Sequence, residues 1–246
     1  MSGHSKWSTI KRKKGALDIK KSAVFSKLAR LIQVAARGGN DPEMNFHLKL
    51  AIQKAREVNM PNINIEKAIA KGSGTGKDAT VIEEVTYEGL APGNVGLVIE
   101  ALTDNKNRTV SELRNIFNKN GATFGTPAAW QFETKGVLQL VKGSDSEADE
   151  MAIIDAGALD FEDAGNAFIV YTAPKELDSV KSKLETSGRT VKSAGLELTP
   201  KNKTVITDAQ LAKRILNFLD ILEDQEDVVN VYSTLEVSDE ILSQIS

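Results

Sequence analysis

Lys6, Lys11, Arg12, Lys13 and Lys14 crowd the start of the chain, and His4 and Trp7 stand among them. Ammonium and guanidinium groups at that density neutralise phosphates and release counterions, which gives affinity for a polyanion without reading its sequence. Trp7 and His4 add flat surfaces able to stack on an unpaired base or wedge into a groove. The alternative is a solubilising tail with Trp7 folded back onto the helices, but an aromatic residue amid so many cations favours nucleic acid. The same charge continues into Lys20, Lys21, Lys27 and Arg30.

Residues 1–77 hold 16 Lys+Arg against 5 Asp+Glu, an excess of +11. The remainder holds 15 basic and 29 acidic residues, so the whole-chain charge of -3 hides a bipolar molecule. Asymmetry of this kind points to a polyanion at the basic end.

Catalytic chemistry finds little to work with. The chain has no cysteine and two histidines, His4 and His47. No zinc-helix or serine-elbow pattern occurs. Glu83 and Glu84 alternate across an expected strand, so their carboxylates point to opposite faces. Lys71-Gly72-Ser73-Gly74-Thr75-Gly76-Lys77-Asp78 has the look of a phosphate loop but begins with Lys71, ends with Asp78 and follows a helix. It reads as a linker. We therefore expect no enzyme, no cofactor, no metal and no small-molecule substrate. Without a long apolar run or a secretory h-region, we expect a cytoplasmic protein with no membrane contact.

These residues need elements to hold them. Val24, Phe25, Leu28, Leu31, Ile32 and Ala35 recur at helical spacing before Gly38-Gly39. Asp41-Pro42-Glu43 reads as the start of a second helix carrying Leu48, Ala51, Ile52, Ala55 and Val58. A third begins at about Asn64 and stops at Gly72. Three short amphipathic helices bury their stripes against one another, which predicts a helical bundle.

Beyond the linker, strands are expected at Val81–Glu88, Val95–Leu102 and around Trp130–Phe132, with a helix from Thr109 to Asn120. Asp104-Asn105-Lys106-Asn107-Arg108-Thr109, between strand and helix, reads on composition as a turn with Asn107 or Thr109 near the cap. Residues 136–200 follow β-α-β-β-α-β, the ferredoxin-like order. The helix Asp208–Asp224 and strand Val228–Leu235 cannot stand alone and are expected to return to the strands of residues 80–134. The expected fold class is α+β: an N-terminal helical bundle, residues 1–77, followed by two ferredoxin-like α+β domains, one inserted in the other. The central domain comprises 78–134 plus 204–246, and the inserted βαββαβ domain comprises 135–203.

Gly3-His4-Ser5-Lys6-Trp7, Ile10-Lys11, Asp18 and Phe25-Ser26-Lys27-Leu28 resemble the opening signature of the YebC/PmpR family. The likeness continues through Gly39-x-Asp41-Pro42, Asn59-Met60-Pro61, Ile69-x-Lys71-Gly72, Tyr87-Glu88-Gly89 and Leu102–Thr109. It implies three domains, the last inserted into the middle one, and a transcriptional regulator that binds DNA. The family also includes mitochondrial translational activators, which keeps a ribosome-associated factor binding ribosomal RNA as the alternative. The resemblance gives Lys106 and Arg108 a contact role. The candidate nucleic-acid-binding residues are thus His4, Lys6, Trp7, Lys11, Arg12, Lys13, Lys14, Lys20, Lys21, Lys27, Arg30, Lys106 and Arg108.

Overall fold

A computed structural model describes residues 19–74 and 82–245, with side chains from Val24 onward. His4, Lys6, Trp7, Lys11, Arg12, Lys13 and Lys14 lie outside the described residues, as do the side chains of Lys20 and Lys21.

Helix α1 spans Ile19–Ala35, α2 Phe46–Glu57 and α3 Asn62–Gly72. Their stripes meet in a core of Ile32, Leu48, Ile52, Ala55, Met60 and Ile65. The second helix starts later than its sequence suggests. Asp41-Pro42-Glu43 forms a turn, in which the Asp41 carboxylate accepts the Glu43 amide at 2.9 Å. Asn45 is the cap: its Oδ1 accepts from the Leu48 amide at 3.1 Å. Its amide group also donates to the carbonyls of Ala35 at 2.7 Å and Gly39 at 2.8 Å. One side chain thereby satisfies the end of α1 and the start of α2.

Asn59 ends α2 in the left-handed region at φ 60. The Met60 amide reaches back to the Ala55 carbonyl at 2.9 Å, a closure that turns Met60 into the core. Gly72 is required by proximity, because a Cβ there would stand 2.2 Å from the Gln33 carbonyl oxygen of α1.

Strands β1 (Glu83–Ala91) and β2 (Val95–Thr103) form a hairpin, followed by α4 (Lys106–Lys119) and β3 (Thr123–Phe124). The chain then leaves for a second sheet and returns as β8 (Thr204–Val205), α7 (Ala209–Asp224), β9 (Val228–Ser233), β10 (Leu235–Glu236) and α8 (Asp239–Ile245). The central sheet runs β3-β1-β2-β9, antiparallel throughout, so its last strand comes from the returning segment. Leu97 and Ile99 of β2 pack with Leu113 and Phe117 of α4 and with Ile215, Phe218 and Leu219 of α7. The Phe117 ring meets Phe218 edge-on at 5.1 Å. With α1 and the Ala129–Gln131 turn also packed against it, β2 is buried along nearly its whole length.

The second sheet contains β4 (Phe132–Val141), α5 (Ser146–Ala156), β5 (Asp160–Asp163), β6 (Ala167–Thr172), α6 (Leu177–Thr186) and β7 (Val191–Pro200). Its order, β5-β6-β4-β7, is the ferredoxin-like arrangement. Leu138, Phe168 and Val170 pack with Ile153, Val180 and Leu184 of the two helices. The expected short strand at Trp130–Phe132 is absent. Ala129–Gln131 is a single 3-10 turn, and Phe132 opens β4, opposite Pro200.

Candidate nucleic-acid interface

The hexapeptide 104–109 is a helix start. Asn105 caps α4, its Oδ1 accepting from the Arg108 amide at 3.1 Å. The cap is neither Asn107 nor Thr109, because the Thr109 hydroxyl points inward and donates to the Asp227 carboxylate at 2.7 Å. Lys106 and Arg108 therefore occupy the first turn of a helix.

Asp227 is the centre of the arrangement, with a side chain 1% exposed. It lies between α7 and β9, where its amide donates to Gln225 Oε1 at 2.7 Å and its carbonyl accepts from the Leu102 amide at 2.8 Å. Thr103 Oγ1 stands 3.3 Å from its carboxylate. Arg108 Nη2 reaches both carboxylate oxygens at 3.1 Å and also Asp104 at 2.9 Å. From α1, Arg30 Nη1 donates to the same carboxylate at 2.9 Å and to the Glu226 carbonyl at 2.8 Å, while its Nη2 meets the Glu226 carboxylate at 2.7 Å. Burial pushes the Asp227 pKa up, but hydrogen bonds from Thr109 and Arg108 and the charge of Arg30 outweigh it and hold the group below its ordinary value.

Lys27, one turn before Arg30, donates from Nζ to the Glu223 carbonyl at the end of α7. A cation there meets carbonyls that no helical amide satisfies. Burial lowers its pKa, and the charges of Asp224 and Glu223 oppose that shift. Lys106 pairs with Glu83 at 2.5 Å, both groups half exposed. All four candidate cations whose side chains are described are thus engaged internally. Arg37, Arg56, Lys67 and Lys71 are exposed and enter no ion pair among the described residues. None of these four is among the residues that the sequence singled out for binding.

The partner acids were not anticipated either. Nothing in the spacing of Asp227 signals two arginines from elsewhere in the chain.

Other surfaces offer less. A shallow, open groove lies between Leu50, Lys54 and Glu57 of α2 and Lys181 and Ser193 of the second sheet's layer. Among the described residues no group of three His, Cys, Asp or Glu side chains could hold a metal. No described helix is long and apolar enough to cross a membrane.

A helical module clamped by ion pairs onto an antiparallel sheet, with a second sheet inserted, defines an α+β protein with several cores. Residues 5–75 match the family model for the TACO1/YebC protein N-terminal domain, and residues 82–235 match that for the TACO1/YebC second and third domain. The chain belongs to the TACO1/YebC family. A protein of Rubrobacter xylanophilus named "Probable transcriptional regulatory protein" is 48% identical over 250 residues, covering 100% of both chains. One of the same name from Thermotoga maritima is 46% identical, covering 100% of this chain and 98% of that one. The crystal structure of a conserved hypothetical protein from Aquifex aeolicus superposes with a TM-score of 0.84 at 39% identity, covering 93% of this chain and 96% of that one.

Proposed function

We propose that the protein is a non-enzymatic, cytoplasmic, nucleic-acid-binding regulator of gene expression, with DNA as its target. The observation that carries this reading is the +11 excess of residues 1–77 facing a strongly acidic remainder. The printed names of its relatives support a regulatory role. In this reading Lys6, Lys11, Arg12, Lys13, Lys14, Lys20 and Lys21 neutralise phosphates, and His4 and Trp7 stack on or wedge between bases. The division into 1–77, 78–134 plus 204–246, and 135–203 separates the binding module from the acidic body.

A second reading, ribosomal RNA bound by a translation factor, is favoured by the outward face of α3. Residues after a four-residue turn are those that a recognition helix would offer to base edges. Here they are Asn62, Ile63, Glu66 and Lys67, all exposed, with an apolar and an acidic group among them. Glu66 in the middle of that face opposes entry into a groove walled by phosphates, whereas phosphate contacts made by the cations elsewhere suit either polymer.

Crosslinking in cells followed by sequencing of the bound nucleic acid separates the two. Promoter enrichment is the result expected for the DNA reading. Recovery of ribosomal RNA without promoter fragments transfers the function to translation, and recovery of neither removes nucleic acid as the partner.

A further inference from the structure

Lys27 and Arg30 lie on one face of α1, and Arg108 reaches the same point from α4. The three cations surround the turn that follows α7. Arg30 holds the Glu226 carboxylate and carbonyl with its two terminal nitrogens, the fork geometry with which arginine also grips a phosphate. The two acids on Arg30 are held very differently. Asp227 is buried and tied by Thr109, Arg108 and its own backbone amide. The Glu226 side chain is 67% exposed, and Arg30 is the ion-pair partner of its carboxylate among the described residues. Glu226 can therefore leave Arg30 without disturbing Asp227.

We propose that this seam between α1 and the 223–227 turn is a phosphodiester-binding site that the chain's own Glu226 occupies until a nucleic-acid backbone displaces it. The proposal rests on the nucleic-acid reading above and deepens it. Helix α1 leads directly from the basic arm. Lys27 and Arg30 stand about 12 and 17 Å along it from Ile19, so a strand held by residues before α1 can reach them. The tethered carboxylate acts as a competitor at an effective concentration on the order of millimolar. A free mononucleotide displaces it poorly, whereas a polymer anchored elsewhere on the same module presents its phosphates at comparable concentration. Lys27 hydrogen-bonds a neutral carbonyl with the charges of Asp224 and Glu223 beside it, so it adds to the phosphate's hold less than Arg30 does.

The test is a cycle of variants in the full chain, read as the affinity for a labelled oligonucleotide by fluorescence anisotropy at fixed salt. Glu226→Gln removes the competitor and should tighten binding about two- to fivefold, the value of one exposed ion pair. Removing any negative charge also tightens binding somewhat, so Glu147→Gln, an exposed acid on α5, is measured alongside. The larger gain is expected for Glu226→Gln alone, and it should vanish in an Arg30→Gln background. Equal gains for Glu226→Gln and Glu147→Gln, or no gain for either, overturn the site while leaving nucleic-acid binding intact. Weaker binding by Glu226→Gln also overturns it, since the turn would then support the complex. If no variant binds any oligonucleotide, the functional reading fails and the site with it. Thermal melts of each variant establish that it is folded, and the Glu147 comparison stands even if Arg30→Gln is not.

Discussion

Arg30 in the first helix and Asp227 in the turn before the last strand of the central sheet are 197 residues apart in the chain and 2.9 Å apart in space. Their contact fastens the helical module to the central sheet. Arg108 completes the pairing from the other side, so a buried carboxylate faces two guanidinium groups and two hydroxyls.

Asp227→Asn keeps the shape and removes the charge, leaving the two arginines opposite a neutral amide. Breaking a buried pair by neutralising one member costs about 3–5 kcal/mol, and the partial exposure of Arg108 places this case near the lower end. Urea denaturation followed by circular dichroism should show the midpoint falling. An unchanged midpoint would mean that burial of the carboxylate cancels its pairing.

The same residue sets a pH dependence. Its folded-state pKa lies below the unfolded value, so its contribution is complete above the ordinary carboxylate range. That contribution is lost as pH falls through that range towards the lowered value. The stability difference between the wild type and Asp227→Asn should therefore shrink on acidification. A difference that stays constant from neutral pH to pH ~3 would contradict the linkage.

Gly72→Ala places a methyl group against the Gln33 carbonyl and must push α3 away from α1. Overpacking of this kind costs about 1–3 kcal/mol. Hydrogen exchange is the suitable measurement, with amides of α1 and α3 expected to lose protection before those of the β4–β7 sheet.

Asn45→Ala removes the cap of α2 together with the donors to Ala35 and Gly39. A lost cap costs about 1 kcal/mol, and uncapping the carbonyls adds to it. The melting temperature should fall more for Asn45→Ala than for Asn45→Asp. The aspartate preserves the acceptor but not the amide donors.

Lys67 and Lys71, one turn apart on α3 and free of ion pairs among the described residues, bear on the extent of the interface. If both meet duplex phosphates, replacing the two with alanine flattens the slope of log K against log salt by about 0.9 for each. A slope unchanged from wild type confines the electrostatic contact to the segment before and within α1. Neither replacement should alter stability, since both side chains are exposed.

Much of the local structure is legible in the chain. The stripes of Ile32, Leu48, Ile52 and Ile65 predict three helices that share a core, and those residues form it. The order of strands and helices from Val137 to Leu198 predicts the β5-β6-β4-β7 sheet. Helix starts are read less well. Asp41-Pro42 has the composition of a start, yet Asn45 caps α2. Asn107 and Thr109 look like caps, yet Asn105 is the one. In both places a side chain's distant partner decides: Asn45 has carbonyls of α1 to satisfy, and Thr109 has Asp227.

By itself the sequence determined most of the longer elements, the charge division and the family, because periodicity, turn residues and motif spacing are properties of neighbours in the chain. Tertiary structure alone decided which cations are held by the protein's own acids and carbonyls. Lys27, Arg30, Lys106 and Arg108 have the same chemistry as Arg37, Arg56, Lys67 and Lys71, and no local pattern separates the two sets. Folding brings Glu223, Glu226 and Asp227 to Lys27 and Arg30, and the contact between α1 and the end of α7 gives those carbonyls and carboxylates cationic partners. An ion pair across so many residues exists only once both elements are packed, which is why the chain's order could not announce it.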